Sequence, residues 1–192
     1  TQFQFMHAKV TIADDTEAVI STGNYYIGSI DKERNYAVRD TDPADLKVLG
    51  AIFDADFERK TPDVSCTRLL VSPVNAKQRL LDFIASAKTE LLVHSMQLAD
   101  RDIRDAIVAR KQAGVAVRAV LADPGWIDAN AEAAAYLKTN GIESRWAQHV
   151  HVKAVTVDGK LSYVGSENLS YTSLTKNREI GLIVGETANV AT

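Results

Sequence analysis

The stretch His151-Val152-Lys153 organises this sequence, together with Asp158 and Gly165-Ser166-Glu167-Asn168 that follow it. The same pattern occurs earlier, with identical spacing and no insertion, as His7-Ala8-Lys9, Asp14 and Ser21-Thr22-Gly23-Asn24. Further matches lie beyond the asparagines at equal distances: Lys32 and Arg34 in the first copy, Lys176 and Arg178 in the second. A spacing that recurs over this length predicts one supersecondary unit used twice.

Strand geometry brings the histidine and the lysine of each copy together. Side chains alternate between the faces of a strand, so residues two positions apart point the same way. His7 and Lys9 are therefore predicted to share a face, and so are His151 and Lys153. Each copy thus presents an imidazole and an ammonium group on one face of a strand.

The aspartates are predicted to support the turns. Asp14 and Asp158 fall on the face opposite the histidines, and Asp158-Gly159 is typical of a two-residue hairpin turn. We interpret both aspartates as turn residues rather than as bases. The strand that returns from each turn brings Asn24 or Asn168 to the edge where the histidine lies.

Two such copies facing each other suit phosphodiester chemistry without a metal. One imidazole attacks phosphorus, while the other protonates the leaving oxygen and then activates the acceptor. The lysines and asparagines hold the non-bridging oxygens. Two histidines are needed because one group cannot be a neutral nucleophile and a proton donor at once.

The motif resembles the HxK(x)4D(x)6GSxN signature of the phospholipase D superfamily. The second copy matches in full, whereas the first has Ser21-Thr22-Gly23-Asn24 in place of Gly-Ser-x-Asn. The segments Asn168-Leu169-Ser170 and Asn177-Arg178-Glu179 look similar to the bacterial, cardiolipin-synthase-like branch. The resemblance favours a bacterial protein and a secreted or periplasmic location over a cytoplasmic one.

The resemblance also implies roles for individual residues. Glu179 lies where family members often carry a carboxylate that hydrogen-bonds a catalytic imidazole, and its counterpart in the first copy is Asn35. We expect the carboxylate to favour a protonated His151 and the neutral amide to leave His7 as the nucleophile. His151 is then the general acid and later the base. The hydroxyls of Thr22 and Ser166 either orient the phosphate, as in the family, or satisfy the hairpin backbone.

Length and composition allow a sizeable core. The chain has 192 residues, 46% of them hydrophobic, a net charge of −3 and a pI of about 5.8. This acidic balance disfavours a general nucleic-acid binder, which usually carries a basic face. No apolar run approaches the length of a transmembrane span, and the single Cys66 cannot form an internal disulfide.

The elements predict an α/β fold, a phospholipase D-like mixed sheet flanked by helices. Two pseudo-symmetric copies are expected, with boundaries at 1–62 and 63–192. Strands are predicted at 5–14, 18–25, 35–40, 68–71, 90–98, 115–122, 142–146, 161–166 and 179–184, in addition to the strand of His151. Helices are predicted at 44–59, 75–87, 100–113, 129–139 and 169–176.

The first copy is expected to be the C-terminal part of a repeat, because the second copy has about eighty residues of strand and helix before its histidine. An upstream segment would then have been removed by proteolysis, left out of this sequence or supplied by a separate chain. A signal peptide or membrane anchor could have been lost with it.

Other polar and aromatic residues have less specific signals. Trp126, on the Asp123-Pro124-Gly125 turn, either lines the substrate mouth or packs on the surface. His94 either faces the cleft or, as we expect, lies in the core behind it, and His149 is interpreted as a rim residue. No His or Cys cluster has metal-ligand spacing, and we expect neither a metal nor a cofactor.

The sequence leaves the substrate open. Our first interpretation is hydrolysis of a phospholipid, with contact to a membrane surface. Cardiolipin-synthase-like phosphatidyl transfer is a close relative. A phospholipase D-like nuclease is the alternative from another substrate class, for which a basic groove with stacking aromatics is expected. A non-enzymatic binding module is the third, weakened because both motifs keep every His, Lys and Asn.

Overall fold

The computed structural model describes residues 3–185. In this range the helices and strands follow in chain order as β1 (Val10–Ala13), β2 (Glu17–Ser21), α1 (Ile27–Lys32), β3 (Ala37–Asp40), α2 (Pro43–Phe57), β4 (Leu70–Ser72), α3 (Ala76–Ala85), β5 (Glu90–Ser95), α4 (Arg101–Gln112), β6 (Ala116–Ala122), α5 (Ala129–Thr139), β7 (Glu143–Ala147), β8 (Lys153–Val157), β9 (Leu161–Gly165), α6 (Tyr171–Thr175) and β10 (Glu179–Val184).

The strands form two sheets. Three antiparallel strands make the first, in the order β1-β2-β3, and seven make the second, in the order β4-β10-β9-β8-β5-β6-β7. In the larger sheet β5, β6 and β7 run parallel, and the remaining neighbours are antiparallel. The predicted mixed sheet flanked by helices is therefore confirmed.

Helices α3, α4 and α5 cover one face of the seven-stranded sheet. Their apolar side chains pack against alternate strand residues such as Leu91 and Val93, as the period of two requires. A second apolar cluster joins α2 and the small sheet to β4 and β10, through residues that include Ile20, Leu49 and Ile180. The two sheets thus share a core around α2.

Local signals explain several helix ends. The side chain of Asp42 accepts a hydrogen bond from Ala44 N, with Pro43 at the first helical position of α2. Asp100 caps α4 in the same way through Ile103 N. Helix α5 is followed by Gly141 at φ +71°, a left-handed conformation that glycine adopts without steric cost.

Both hairpins turn at the motif aspartates. Their strands pair Ala13 with Glu17 and Val157 with Leu161, so each loop has three residues rather than the two predicted for Asp158-Gly159. The first two loop residues have positive φ in each: Asp14 and Asp15 in the first, Asp158 and Gly159 in the second. This combination is that of a type I′ turn, whose twist matches the flanking strands. Strand β1 is shorter than predicted, however, and begins only at Val10. His7 and Lys9 therefore precede the regular strand, as His151 precedes β8.

Helix α1 was not predicted from the sequence. It has only six residues, includes Gly28, and its Tyr26 cap makes no side-chain hydrogen bond. Within residues 3–185, no helix combines the length and the apolar character needed to cross a bilayer.

Candidate active site

His7 lies beside the end of the second motif rather than beside its own copy. Its backbone N–H donates to the carbonyl of Arg178 at 2.9 Å, next to a parallel bridge between Met6 and Arg178. The ring nitrogen Nδ1 lies 2.9 and 2.8 Å from the two carboxylate oxygens of Glu179. His7 is thus held by a residue 172 positions away.

His151 shows the reciprocal arrangement. Its backbone N–H donates to the carbonyl of Arg34 at 3.0 Å, beside a parallel bridge between Arg34 and Val150. Its Nδ1 lies 3.0 Å from Oδ1 of Asn35. Each histidine therefore contacts the segment that follows the asparagine of the other copy.

This crossed arrangement corrects one expectation. The sequence analysis placed Glu179 beside His151 and Asn35 beside His7, and both pairings are wrong. The reason is the backbone bridges, which join each histidine segment to the opposite copy before any side chain is positioned. Glu179 therefore acts on His7 and Asn35 on His151, so the carboxylate cannot favour a protonated His151 through direct contact.

The partners fix which ring nitrogen is free. Asn35 donates from Nδ2 to the carbonyl of Ser29 at 3.1 Å, so its Oδ1 faces His151 and accepts from Nδ1–H. The carboxylate of Glu179 can only accept, so Nδ1 of His7 is also the donor. In His7 this leaves Nε2 as the nitrogen available for chemistry, whereas Nε2 of His151 faces Lys153 Nζ at 3.2 Å.

Glu179 is itself held in place. It is fully buried and accepts hydrogen bonds from Ser173 Oγ at 2.6 Å and from Asn177 Nδ2 at 3.2 Å. These bonds satisfy a carboxylate that would otherwise be costly to bury. The ring of His7 is one-third exposed by contrast, with a side-chain accessibility of 32%. A rigid buried carboxylate thus supports a more accessible imidazole.

Glu33 was missed in the sequence analysis. Its Oε2 lies 3.8 Å from Nδ1 of His151, and its side chain is only 11% exposed. Ser29 Oγ and Tyr26 Oη donate to its carboxylate. The repeat contains a signal for it, since Ser29 and Glu33 occupy the positions in the first copy that Ser173 and Asn177 occupy in the second.

Both motif lysines are buried beside the histidines. Lys9 Nζ donates to the carbonyl of His7 at 2.6 Å, and Lys153 Nζ to the carbonyls of His151 at 2.7 Å and Thr22 at 3.2 Å. Burial and the nearby Lys9 hold the pKa of Lys153 well below its ordinary value. Burial likewise lowers the pKa of Lys9, although Glu179 opposes the shift. Since the positive charges of Lys9 and Lys153 disfavour each other, an anion bound between them would be stabilised.

The proton affinity of His151 is low. Burial, and then the positive charge of Lys153, lower the pKa of His151 to about 4, while Glu33 acts in the opposite direction. Lys153 Nζ lies 3.0 Å from Nδ1 and 3.2 Å from Nε2 of the ring. The imidazole of His151 is therefore neutral near pH 7.

The backbone of each motif asparagine is held by a serine of the short helix that follows it, α1 or α6. Asn24 N donates to Ser29 Oγ at 3.2 Å, and Asn168 N donates to Ser173 Oγ at 2.9 Å. The side-chain Oδ1 of Asn168 is buried without a hydrogen-bond partner. An unpaired buried amide oxygen is costly, so this side chain retains capacity for a further contact.

The motif hydroxyls bond to the protein itself. Thr22 Oγ1 donates to Asn35 Oδ1 at 3.1 Å and accepts from Tyr36 N at 2.9 Å. Ser166 Oγ accepts from Ile180 N at 3.1 Å. These contacts favour the second of the two interpretations, in which the hydroxyls satisfy nearby backbone and side-chain groups.

The aspartates lie in the turns, as predicted. Asp158 accepts from three successive backbone amides, those of Lys88, Thr89 and Glu90, at 2.7 to 3.2 Å. These amides hold the pKa of Asp158 below its usual range. Asp158 thereby ties the hairpin turn to the start of β5. Asp14 is exposed in the other turn at φ +51°.

The remaining candidates lie around the site. The ring centroid of Trp126 is 6.3 Å from that of His151, which puts this aromatic beside the histidine. Tyr36 Oη lies 3.1 Å from Nδ1 of His94, which stands behind Asn35. His149 is exposed at φ +57° in the turn before β8. Among the residues that the structure describes, no group of three His, Cys, Asp or Glu side chains could hold a metal ion.

A comparison with protein families identifies the fold. The model of the cardiolipin synthase PLD-like domain matches residues 80–192, more than half of the chain. The chain belongs to this family. It is therefore a member of the phospholipase D superfamily, as the paired motif suggested, and has the fold of phosphodiester-acting enzymes.

Solved structures agree with this membership. Nuc from Salmonella typhimurium, described as a phospholipase D family member, is 29% identical with a TM-score of 0.60, over 64% of this chain and 84% of Nuc. Phosphatidylserine synthase from Haemophilus influenzae is 14% identical with a TM-score of 0.67, over 96% of this chain and 58% of the synthase. Polyphosphate kinase from Porphyromonas gingivalis is 14% identical with a TM-score of 0.69, over 95% of this chain and 31% of the kinase. The last two show the fold alone. A search of curated proteins gave no match.

Proposed function

We propose that this cardiolipin synthase PLD-like chain cleaves or transfers the phosphodiester of a phospholipid through a covalent phosphohistidine, without a metal. The crossed arrangement supports the proposal. Nδ1 of each histidine is hydrogen-bonded to a residue of the other copy, and the buried side chains of Lys9 and Lys153 lie beside the two rings. We also propose residues 1–62 and 63–192 as the two repeats that supply the two halves of this site.

His7 is the proposed nucleophile. Its Nε2 lone pair attacks phosphorus, and the bond from phosphorus to the leaving oxygen breaks. The new phosphoimidazole carries positive charge on the ring, which the carboxylate of Glu179 at 2.8 Å stabilises. The carboxylate of Glu179 therefore supports the nucleophile His7, and not the acid His151 as the sequence predicted. The greater exposure of His7 also suits attack on a substrate.

His151 is the proposed acid and base. It gives a proton to the leaving oxygen, then takes one from the acceptor, water or an alcohol, which displaces His7 from phosphorus. Its pKa of about 4 in the free protein is low for an acid. Binding an anionic phosphodiester beside Lys9 and Lys153 offsets their charges and raises that pKa. The alternative is that His151 is the nucleophile and His7 the acid and base. The neutral state of the His151 ring near pH 7 favours this alternative.

The other motif residues bind the phosphoryl group. Lys9 and Lys153 supply positive charge to its non-bridging oxygens, and the amides of Asn24 and Asn168 supply donors. Asp14 and Asp158 hold the hairpins, and Thr22 and Ser166 hold the segments around the asparagines. The lysines and asparagines do not have to gain or lose a proton in this role, because they stabilise the charge on the phosphoryl oxygens from fixed positions.

Exposed apolar side chains around the histidines support a lipid substrate. Phe5 and Met6 precede His7 and are 60% and 57% exposed, and Trp126 beside His151 is 43% exposed. Helix α1, which follows Asn24, exposes Ile27 and Ile30 by 77% and 72%. Acyl chains or a membrane surface would cover such side chains favourably. The family's description as cardiolipin synthase supports phosphatidyl transfer as well as hydrolysis.

A nuclease is the second candidate, since the phosphodiester site itself does not distinguish a lipid from a nucleic acid. The net charge of −3 counts against it, because phosphate backbones are bound mainly by basic surfaces. A binding module without activity is the third, and the complete His, Lys and Asn sets count against that.

One experiment separates these functions. The purified chain is incubated with vesicles of phosphatidylcholine or phosphatidylglycerol and with single-stranded DNA, with and without EDTA, alongside His7→Ala. We expect phospholipid turnover that EDTA leaves unchanged and that His7→Ala abolishes. Cleavage of DNA alone would establish the nuclease, and no turnover of either substrate would favour the binding module. Loss with EDTA that is reversed by a divalent ion would refute the metal-free mechanism.

A further inference from the structure

We propose that Glu33 is a positioning residue for His151, the carboxylate that stabilises the protonated form of this ring. In this role it is the counterpart of Glu179 beside His7. The inference rests on the proposed function for its catalytic meaning, but its structural content stands on the contacts of Glu33 alone.

Two hydrogen bonds hold the Glu33 carboxylate in position. It follows α1, with one oxygen bonded to Ser29 Oγ and the other accepting from Tyr26 Oη at 3.3 Å. Oε2 points toward Nδ1 of His151 at 3.8 Å. A carboxylate that is 11% exposed and directed at an imidazole is placed to act on its charge.

The two copies have exchanged a carboxylate and an amide. In the second copy Asn177 donates to Glu179, and Glu179 contacts His7 directly. In the first copy the order is reversed: the carboxylate is Glu33, and the amide of Asn35 contacts His151. Each histidine therefore has one amide and one carboxylate, but only His7 touches the carboxylate.

This exchange suits different tasks for the two rings. A direct, buried carboxylate fixes the orientation of the His7 ring and stabilises a positive phosphoimidazole. An acid and base must instead gain and lose its proton within each cycle, so both charge states of the ring have to be accessible. His151 meets that requirement, because its direct hydrogen bond is to the uncharged amide of Asn35 and the negative charge of Glu33 lies 3.8 Å from its Nδ1.

The charges facing His151 show why Glu33 is needed. Lys153 from β8, and Lys9 and His7 from the segment before β1, all disfavour its protonation. Glu33 is the negative group that opposes them from the segment after α1. Trp126 faces the ring without a charge. Removal of the Glu33 charge therefore leaves His151 among positive groups.

The direct test is a ring titration by NMR of the full chain. Midpoints for His151 are measured with and without inorganic phosphate in wild type, Glu33→Gln and Asp31→Asn, over the range where circular dichroism shows a folded chain. Asp31→Asn removes the same charge from an exposed position two residues away. We expect Glu33→Gln to lower the midpoint by roughly one pH unit, and Asp31→Asn to leave it in place.

A second variant guards against a folding defect in the first. The double variant Glu33→Gln with Asn35→Glu puts the carboxylate at the position equivalent to Glu179. We expect its His151 midpoint to lie above that of wild type. Equal midpoints in wild type, Glu33→Gln and Asp31→Asn, or a double variant that titrates like Glu33→Gln, would overturn the proposal.

Activity gives an independent measurement. Loss of acid catalysis matters most for a poor leaving group, so Glu33→Gln should lower kcat for a phospholipid more than for bis(p-nitrophenyl) phosphate. Equal losses on both substrates would mean a general structural role and would contradict the proposal. If wild type hydrolyses neither substrate, the proposed function fails, while the titration still decides whether Glu33 acts on His151.

Discussion

The carboxylate of Glu179 lies 2.8 Å from Nδ1 of His7, although 172 residues separate them in the chain. The equivalent contact joins Asn35 Oδ1 to Nδ1 of His151 at 3.0 Å. Neither motif is therefore complete in its own copy, because the group that orients each imidazole comes from the other. Disturbing the contact between the copies should disturb both rings together.

The first prediction concerns this contact. Glu179→Gln keeps the shape of the side chain but removes the charge that stabilises a positive ring on His7. A hydrogen bond to a charged group contributes about 1.5–3 kcal/mol, so kcat should fall roughly 10- to 100-fold while KM changes little. Steady-state kinetics on phospholipid vesicles measure this, with the exposed Glu143→Gln as the matched control. A normal kcat in Glu179→Gln would remove Glu179 from the mechanism.

A second prediction locates the covalent intermediate. In His151→Ala the first step no longer has its acid, so an unactivated phospholipid should react about 10²- to 10⁴-fold more slowly. Bis(p-nitrophenyl) phosphate has a good leaving group and should still phosphorylate the protein, which then lacks the base for the second step. One p-nitrophenolate leaves, so mass spectrometry after a rapid quench at high pH should find a p-nitrophenyl phosphoryl group on the peptide of His7. In His7→Ala it should be absent.

The opposite pattern has a clear meaning. A phosphoryl group on His151 in His7→Ala, and none on His7 in His151→Ala, would reverse the two roles. The neutral ring of His151 would then be the decisive property rather than the carboxylate beside His7.

The sequence was informative about elements and about residue types. Helix α5 and strand β10 have the predicted bounds, Ala129–Thr139 and Glu179–Val184, because a cap signal or a run of apolar residues limits each. The repeat also selected His7 and His151, which the structure brings close enough for the charge of His7 to lower the pKa of His151. Local patterns and an internal repeat suffice for statements of this kind.

The sequence could not show which Nδ1 partner each histidine has. A repeat shows that Asn35 and Glu179 are equivalent, but it does not show which histidine each one meets. That choice is made by the backbone bridges of Met6 with Arg178 and of Arg34 with Val150, which are long-range contacts. Glu33 was overlooked for a related reason: its equivalent in the second copy is the uncharged Asn177, so the repeat marks the position but not the carboxylate.

A third prediction tests the packing that joins the two sheets. Arg178 is 3% exposed and forms two hydrogen bonds with Asp56 of α2, at 2.8 and 2.9 Å. Arg178→Ala leaves the Asp56 carboxylate buried without its partner, which should cost about 3–5 kcal/mol of unfolding free energy. Urea denaturation measures it. The exposed pair of Arg39 and Glu17 gives the control, since Arg39→Ala should cost at most about 1 kcal/mol. Similar losses in both variants would mean that Arg178 is not a special contact.

The last prediction concerns Glu167, the variable residue of the second motif. Burial raises the pKa of Glu167 to about 8, and the nearby Glu179 adds to the shift. Tyr163 Oη donates to its Oε2 at 2.6 Å, while Oε1 is buried without a partner, an arrangement that costs less for a neutral carboxyl group than for a carboxylate. The folded chain therefore keeps a proton that the unfolded chain releases above its ordinary pKa of about 4.5.

The sign of the effect follows from that proton. Between about pH 4.5 and pH 8 the folded state binds more protons than the unfolded state, so this group makes stability fall as pH rises. Glu167→Gln has the same shape and no proton to lose, so its unfolding free energy should exceed that of wild type at pH 8 and converge with it near pH 5. Urea denaturation across this range measures the difference, with the exposed Glu143→Gln as control. A constant difference between Glu167→Gln and wild type at every pH would show that Glu167 is ionised in the folded chain, and would place a second negative charge, next to that of Glu179, beside Lys9.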